Sequence, residues 1–205
     1  MEVWRGNPDH QMVALTFDAG ADAGYTLQIL ETLRSEGVKA SFSITGWWAE
    51  QNPAQMQAIA AGGHLLMNHS QDHPSFTGAS TGEAPLSRDA RISQLEQTEV
   101  TVRKLTGVGT RPFFRPPYGD VDDSVLCDAF AAGYSYVVMW SIDSLGWNHA
   151  TAEQIVQTVL AGARPGAIVI MHVGSESADA AALPQIIQGL RAMGYQFGTV
   201  AELLR

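Results

Sequence analysis

Short runs of apolar residues alternate along the chain with segments whose apolar residues recur at helical spacing. Seven apolar runs have the length of buried strands: Met12–Phe17, Val38–Ile44, His64–Met67, Phe113–Arg115, Ser135–Trp140, Ala167–Met171 and Tyr195–Gly198. The intervening segments carry apolar residues three or four positions apart, as in Leu27–Leu33 and Ile155–Leu160. Strands separated by helices pair in parallel through crossover connections. The pattern predicts an α/β fold with one buried parallel sheet.

Glycines and prolines mark the ends of the predicted helices. A glycine follows each of five periodic stretches, at Gly37, Gly62-Gly63, Gly107, Gly133 and Gly194. Pro53 and Pro184 suit the first turn of the helices that we expect them to open. Seven repeats without a glycine-rich phosphate loop favour a barrel over an open doubly wound sheet. We therefore predict a distorted (β/α) barrel of about seven parallel strands.

Length, composition and charge narrow the class of protein. The 205 residues show no repeat and no linker, so we expect one domain over residues 1–205. With 45% hydrophobic and 16% charged residues the chain is not of the disordered class, and a net charge of −9 argues against nucleic acid. Cys127 cannot form an internal disulfide, and we expect it to be a small buried residue. Residues 1–6 contain no apolar run, so we expect no signal peptide and no membrane anchor there.

Ionisable residues follow the predicted strands at their C-terminal ends. Asp18 comes at the end of the first run, and His69 and His73 follow the third. The fourth, fifth and sixth runs lead to Arg115, Asp143 and His172 in that order. In a (β/α) barrel the loops after the strands converge at one rim, where the active site is built. The placement favours an enzyme with its active site at that rim.

The segment His69-Ser70-Gln71-Asp72-His73 places two imidazoles four residues apart. On one helical turn they would face the same way, which is the spacing of two histidines that bind one metal ion. The alternative is a surface turn closed by Pro74.

Two carboxylates leave the first predicted strand. Asp18 can point into the barrel mouth, and Asp22 could reach the same space after Gly20 has let the backbone turn. The alternative is that one of them, above all Asp22, caps the helix that begins near Tyr25.

Arg115 is held between prolines and aromatic residues, and in such an apolar setting it must be paired. As the partner of Asp18 it would keep that carboxyl group ionised. A purely structural ion pair is the alternative, and the sequence does not distinguish the two. His172 ends a predicted buried strand. It could be catalytic, or it could be a core histidine whose ring nitrogens are hydrogen-bonded within the fold. Four tryptophans near the rim suit sugar rings or packing: Trp47, Trp48, Trp140 and Trp147.

These residues resemble the polysaccharide deacetylase (NodB-homology) domains of carbohydrate esterase family 4 over nearly the whole length. Five motifs match in order: Thr16-Phe17-Asp18, His69 to His73, Arg115-Pro116-Pro117-Tyr118-Gly119, Asp143 to Trp147, and Ile170-Met171-His172. The resemblance implies a divalent-metal hydrolase, with zinc first and cobalt or nickel as alternatives, that removes acetyl groups from acetylated polysaccharides. The substrates would be peptidoglycan, chitin oligomers or acetylxylan. A monomer at the cell surface or outside the cell is the expectation.

The resemblance also implies a division of roles. His69 and His73 would hold the metal with an aspartate, Asp18 would be the general base, and His172 the general acid. Arg115 would orient Asp18. The substrate would be bound by Pro116, by the backbone N–H of Tyr118 at the oxyanion, and by Trp147 at the acetyl methyl.

The sequence departs from the family at two positions. The usual third metal ligand, an aspartate after the base, is Ala19, so Asp22 would have to replace it or the metal would keep two protein ligands. The aspartate that usually tunes the acid histidine is replaced by Gly146, so either Asp143 takes over that task or His172 works without such a partner. Two alternatives to an active deacetylase therefore stay open. One is a carbohydrate-binding pseudoenzyme, and the other is a related hydrolase that acts on cyclic amides.

Overall fold

Nine strands and eight α-helices alternate through residues 1–205, all of which the computed structural model describes. The strands are β1 (Glu2–Val3), β2 (Met12–Ala19), β3 (Ser41–Ile44), β4 (Leu65–Asn68), β5 (Phe113–Phe114), β6 (Tyr136–Val138), β7 (Ile142–Asp143), β8 (Ile168–His172) and β9 (Gln196–Phe197). The helices are α1 (Thr26–Ser35), α2 (Gly46–Gln51), α3 (Pro53–Ala61), α4 (Arg88–Thr106), α5 (Asp123–Ala131), α6 (Ala152–Gly162), α7 (Asp179–Ala192) and α8 (Val200–Leu203).

The strands form a distorted parallel barrel, as the sequence predicts. Their order is β1-β6-β5-β4-β3-β2-β8-β7, with β9 added to β2, and every ladder between strands is parallel. The two ends of this path approach each other, because β6 leads almost directly into β7 and an antiparallel bridge joins Arg5 to Ala167. All seven predicted runs overlap strands. The two strands that were missed, β1 and β7, have two residues each and carry no periodicity.

Strand β2 is the centre of the fold, and its alternation positions the site. Its odd-numbered residues Val13, Leu15 and Phe17 belong to the largest apolar cluster, together with residues of the surrounding helices. The even-numbered Thr16 and Asp18 both accept hydrogen bonds from Arg115. Successive side chains of a strand point to opposite faces. The same alternation therefore builds the core on one side and places a buried carboxylate on the other.

The helix ends follow the predicted glycines, with two corrections to other expectations. Pro53 is the first residue of α3, as predicted, but Pro184 lies inside α7, which already begins at Asp179. Cys127 is exposed rather than buried. The buried residues of α5 are Val125, Asp128 and Ala129, and position 127 lies off that face. None of the helices combines the length and apolar composition needed to cross a bilayer.

Candidate active site

A cleft of about 560 Å³ opens at the C-terminal ends of the strands, where the sequence places the site. Nine of the ten predicted site residues line it: Asp18, Asp22, His69, His73, Pro116, Tyr118, Asp143, Trp147 and His172. The tenth, Arg115, is completely buried and contacts Asp18. The parallel topology thus brings together residues that are up to about 150 positions apart in the chain.

Arg115 fixes the charge state of Asp18. One guanidinium nitrogen of Arg115 donates to Asp18 Oδ1 at 2.7 Å and to Thr16 Oγ1 at 2.9 Å. The others donate to the carbonyl groups of Val138 and Met139. Burial alone would raise the pKa of Asp18, but the charge of Arg115, helped by His69 and His172, outweighs it and lowers the pKa to about 2. Asp18 is therefore a carboxylate at neutral pH.

His69 presents one ring nitrogen to Asp18. Its Nδ1 lies 2.8 Å from the carbonyl oxygen of Arg115, an acceptor, so the proton of the neutral ring belongs on Nδ1. Its Nε2 then carries a lone pair and lies 3.5 Å from Asp18 Oδ2. Two acceptor atoms that face each other in a buried site suit a cation or a water molecule close to both.

His73 reaches the site through a folded loop and not through a helical turn. Residues 69–73 form no helix, and Ser70 and His73 have φ values of 68° and 64°. Gln94 of α4 accepts hydrogen bonds from the backbone N–H groups of Gln71 and Asp72 and holds the loop. The rings of His69 and His73 consequently lie 4.8 Å apart, centroid to centroid. The predicted juxtaposition is present, although its predicted helical cause is wrong.

Asp22 does not join the two histidines. Its Oδ1 accepts from the backbone N–H of Ser175 at 2.9 Å, and its Oδ2 accepts from the Ser175 hydroxyl. It also does not cap α1, whose N-cap residue is Tyr25 and which has no side-chain cap. The capping interpretation is therefore wrong, and the Asp22 carboxylate is bonded to Ser175 in this structure. The residue ties the loop after β2 to the loop after β8.

A divalent cation fits the two histidines but not the predicted set of three ligands. Burial lowers the pKa of both imidazoles, that of His73 to about 3, so both are neutral at pH 7, the form that binds a metal ion. No group of three His, Cys, Asp or Glu side chains has the spacing of a metal site. Catalytic zinc sites commonly use three protein ligands. The residues present therefore suit a cation bound by His69 and His73, with water at its other positions.

The partner of His172 differs from the predicted one. Asp143 accepts from the backbone N–H of Leu145 and from Trp147 Nε1, and lies outside ion-pair distance of His172. The residue beside the ring is Asp179, with Oδ2 at 3.7 Å from His172 Nδ1. Burial alone would lower the pKa of His172, but Asp179, followed by Asp18 and Asp143, raises it. Sequence reasoning missed Asp179 because it belongs to no motif.

Aromatic side chains border the cleft. The ring of Tyr118 contacts that of His73 with centroids 4.7 Å apart, and Tyr118 has a φ of 60°, a strained value for a residue with a side chain. Trp147 is about half exposed. Trp47 is also exposed, whereas Trp48 is fully buried in the core and donates to the carbonyl of Asp22. Trp48 is therefore a packing residue.

Known proteins resemble this chain in sequence and in fold. The family model described as polysaccharide deacetylase matches residues 5–137. A peptidoglycan-N-acetylglucosamine deacetylase of Bacillus cereus is 33% identical, over 94% of this chain and 68% of its own length. The corresponding protein of Listeria monocytogenes is 36% identical over 95% of this chain, which spans only 39% of that protein's length.

Solved structures agree with this relationship. A pseudoenzyme of carbohydrate esterase family 4 from Bacillus anthracis superimposes with a TM-score of 0.91 and 31% identity, over 100% of this chain and 69% of its own. A mutant of that pseudoenzyme with restored enzymatic activity gives a TM-score of 0.91 and 32% identity, over 100% of this chain and 71% of its own. The predicted class, a deacetylase hydrolase, is confirmed at the level of the family. The chain belongs to the polysaccharide deacetylase family.

Proposed function

We propose that this protein hydrolyses the acetamido groups of peptidoglycan amino sugars with the help of a bound divalent cation, zinc in the first place. The observation that carries the proposal is the buried Arg115–Asp18 pair on the floor of an open cleft, beside His69 and facing the same space as His172. The Bacillus and Listeria relatives carry names for this activity. Because peptidoglycan lies outside the cytoplasmic membrane, the protein would work at the cell surface or outside the cell.

The residues divide the work as follows. His69 and His73 would hold the cation, which, when bound, polarises the acetyl carbonyl and acidifies water. Asp18, which Arg115 keeps ionised, takes the proton of the attacking water. His172 gives a proton to the leaving amine. The backbone N–H of Tyr118 donates to the oxyanion, and Pro116 and Trp147 flank the acetyl group.

Acetate release from peptidoglycan, N-acetylglucosamine oligomers and acetylxylan tests the proposal. Chelator-treated protein is assayed with and without zinc, cobalt or nickel, and bound metal is measured in parallel. We expect metal-dependent release from the amino sugars and its loss in both Asp18→Asn and His69→Ala. Only His69→Ala should also lose the metal. Activity that survives in Asp18→Asn would contradict the assignment of the base.

A carbohydrate-binding pseudoenzyme is the second candidate, and one observation favours it. Ala19, fully buried, stands where the family has its third metal ligand, and no other residue completes a set of three. A structural neighbour is itself described as a pseudoenzyme. Binding of N-acetylglucosamine oligomers without acetate release, even in excess zinc or cobalt, would favour this function over catalysis.

A further inference from the structure

Two buried polar atoms beside the cleft lack hydrogen-bond partners and belong to neighbouring side chains. They are His172 Nδ1, at the end of β8, and Asp179 Oδ1, in the first turn of α7. The Asp179 side chain is completely buried, and His172 is the only basic side chain within ion-pair distance of it. A buried carboxylate without a cationic partner is costly, even when one of its oxygens accepts hydrogen bonds. The imidazole of His172 is the group within ion-pair distance that can supply a positive charge.

The Asp179 carboxylate is held in place toward the ring. Its Oδ2 accepts from the backbone N–H of His172 at 2.8 Å and from Ser177 Oγ at 2.7 Å. These bonds hold the carboxylate close to His172, whose ring lies beside it. His172 Nδ1 lies 3.7 Å from Oδ2, within ion-pair distance and just beyond the length of a hydrogen bond.

Gly146 makes room for this carboxylate. A Cβ atom at position 146 would lie 2.5 Å from Asp179 Oδ2 and 2.3 Å from Ser177 Oγ, closer than any real contact. Position 146 is where the fourth family motif has its aspartate. Asp179 and Ser177 thus occupy the volume that a side chain from that position would need.

The geometry points to Asp179 as the positioning residue of His172, in exchange for the aspartate that Gly146 lacks. Its carboxylate would accept a hydrogen bond from Nδ1–H, so that Nε2 faces the cleft and the imidazolium is stabilised. This inference rests on the proposed function only for the role of His172 as an acid; the pairing itself is independent of activity. The raised pKa of His172 agrees with it.

Other titratable groups also face His172, and the test must distinguish their effects from that of Asp179. They are Asp18 on β2, Asp143 on β7, and the two imidazoles of the loop after β4, His69 and His73. Glu176 lines the same cleft. Asp143 is the informative control, because it is also an aspartate near the ring but is bonded to Leu145 and Trp147.

Nitrogen-15 NMR of the histidine rings tests the pairing in chelator-treated protein, with the His172 signal assigned through His172→Gln. We expect Asp179→Asn to reduce the protonation constant of His172 about tenfold or more and to change its neutral tautomer. Asp143→Asn should have a clearly smaller effect. Ser177→Ala, which removes a bond to Asp179 but no charge, should lower stability and leave the tautomer unchanged.

A swap of the two positions provides the second test and covers the case in which Asp179→Asn does not fold. Gly146→Asp alone should be destabilising, because its side chain collides with both Ser177 and Asp179. Combined with Asp179→Gly and Ser177→Ala, which remove the atoms that it would meet, it should restore the tautomer and protonation constant of His172. In an active enzyme, the alkaline limb of the kcat profile should move to lower pH in Asp179→Asn and return in the swap.

An unchanged His172 titration in Asp179→Asn, or a swap that restores nothing, would overturn the inference. Because the ring titration needs no substrate, its result stands even if no acetylated sugar is hydrolysed. Failure of the proposed function and failure of this inference are therefore distinguishable.

Discussion

The charge balance of the cleft depends on Arg115 and Asp18. Arg115 is buried, and Asp18 is the only carboxylate within ion-pair distance of it. The sequence predicts this pairing because an arginine between prolines and phenylalanines needs a partner. The hydrogen bonds of Arg115 to two carbonyl groups, which fix its orientation, depend on β6 and could not be inferred from its own segment.

The first prediction concerns the pH dependence of stability. The pKa of Asp18 is about 2 in the folded protein against a usual 3.8, so its ion pair stabilises the fold fully above pH 3.8. That contribution, about 2 kcal/mol, is lost as the pH falls through about 2. The difference in free energy of unfolding between chelator-treated wild type and Asp18→Asn should therefore shrink by this amount between pH 5 and pH 2. Urea titrations measure it, with the exposed Asp9→Asn as the control. A difference that stays constant with pH would contradict the coupling.

The second prediction assigns Asp143 to substrate binding. Its Oδ2 accepts from Trp147 Nε1 at 3.2 Å and holds the indole at the rim of the cleft. A hydrogen bond of this kind contributes about 1 kcal/mol, so Asp143→Ala should raise KM about fivefold with little change in kcat. Trp147→Phe removes the same donor and should have the same effect, and the double variant should be no worse than either one. A fall in kcat without a change in KM would contradict this assignment.

Asp179 shows why part of the site is hidden in the sequence. The need for a carboxylate partner is visible in the sequence, because Gly146 stands where the family has the aspartate expected beside His172, the proposed acid. The identity of that partner is not visible, because the chain offers two acidic residues soon after β8, Glu176 in the loop and Asp179 at the start of α7. Only the fold shows that Glu176 lines the cleft, whereas Asp179 lies 3.7 Å from the ring of His172.

At the scale of elements, the loop after β4 carries the two histidines that we propose to hold the metal ion. Its two histidines meet because Ser70 and His73 adopt left-handed backbone conformations, not because the segment is helical. The spacing of four residues is compatible with both geometries. The choice between them depends on hydrogen bonds from the backbone of the loop to side chains outside it. The N–H groups of Gln71 and Asp72 donate to Gln94, and that of Ser70 donates to Asn68.

The third prediction follows from Gln94. Its Oε1 accepts from two backbone N–H groups of the loop, so Gln94→Ala leaves both without this partner. We expect a loss of about 1–3 kcal/mol in stability and about tenfold weaker zinc binding, because the loop no longer fixes His73. Calorimetric titration and thermal melts measure the two effects. Gln94→Glu keeps the acceptor and should retain most of the affinity.

The matched control for the third prediction lies on the same helix. Gln97 is exposed and bonds only to Ser93, so Gln97→Ala should change stability by less than about 0.5 kcal/mol and zinc affinity not at all. Equal effects of the two variants would show that Gln94 acts through the helix and not through the loop.

At the scale of the whole molecule, the topology determines which residues meet. Parallel strands with crossover helices bring every strand's C-terminal end to one rim, so the alternation of apolar runs is enough to predict where Asp18, His69 and His172 gather. The alternation does not determine how far each loop reaches. For that reason Asp22, predicted to reach the histidines, is instead bonded to Ser175 on the loop after β8.

The last prediction asks whether the fold still accommodates a third metal ligand. Ala19 is fully buried, so the carboxylate of Ala19→Asp would be uncompensated without a cation and should lower the Tm of chelator-treated protein. Zinc should then raise the Tm of this variant much more than that of the wild type, because a ligand that binds the folded state more tightly stabilises it more. Ala19→Asn, equal in size but uncharged, should gain far less from zinc. A rise in acetate release with the zinc-dependent Tm would show that the missing ligand limits activity, whereas equal zinc effects in all three proteins would show that position 19 does not reach the metal.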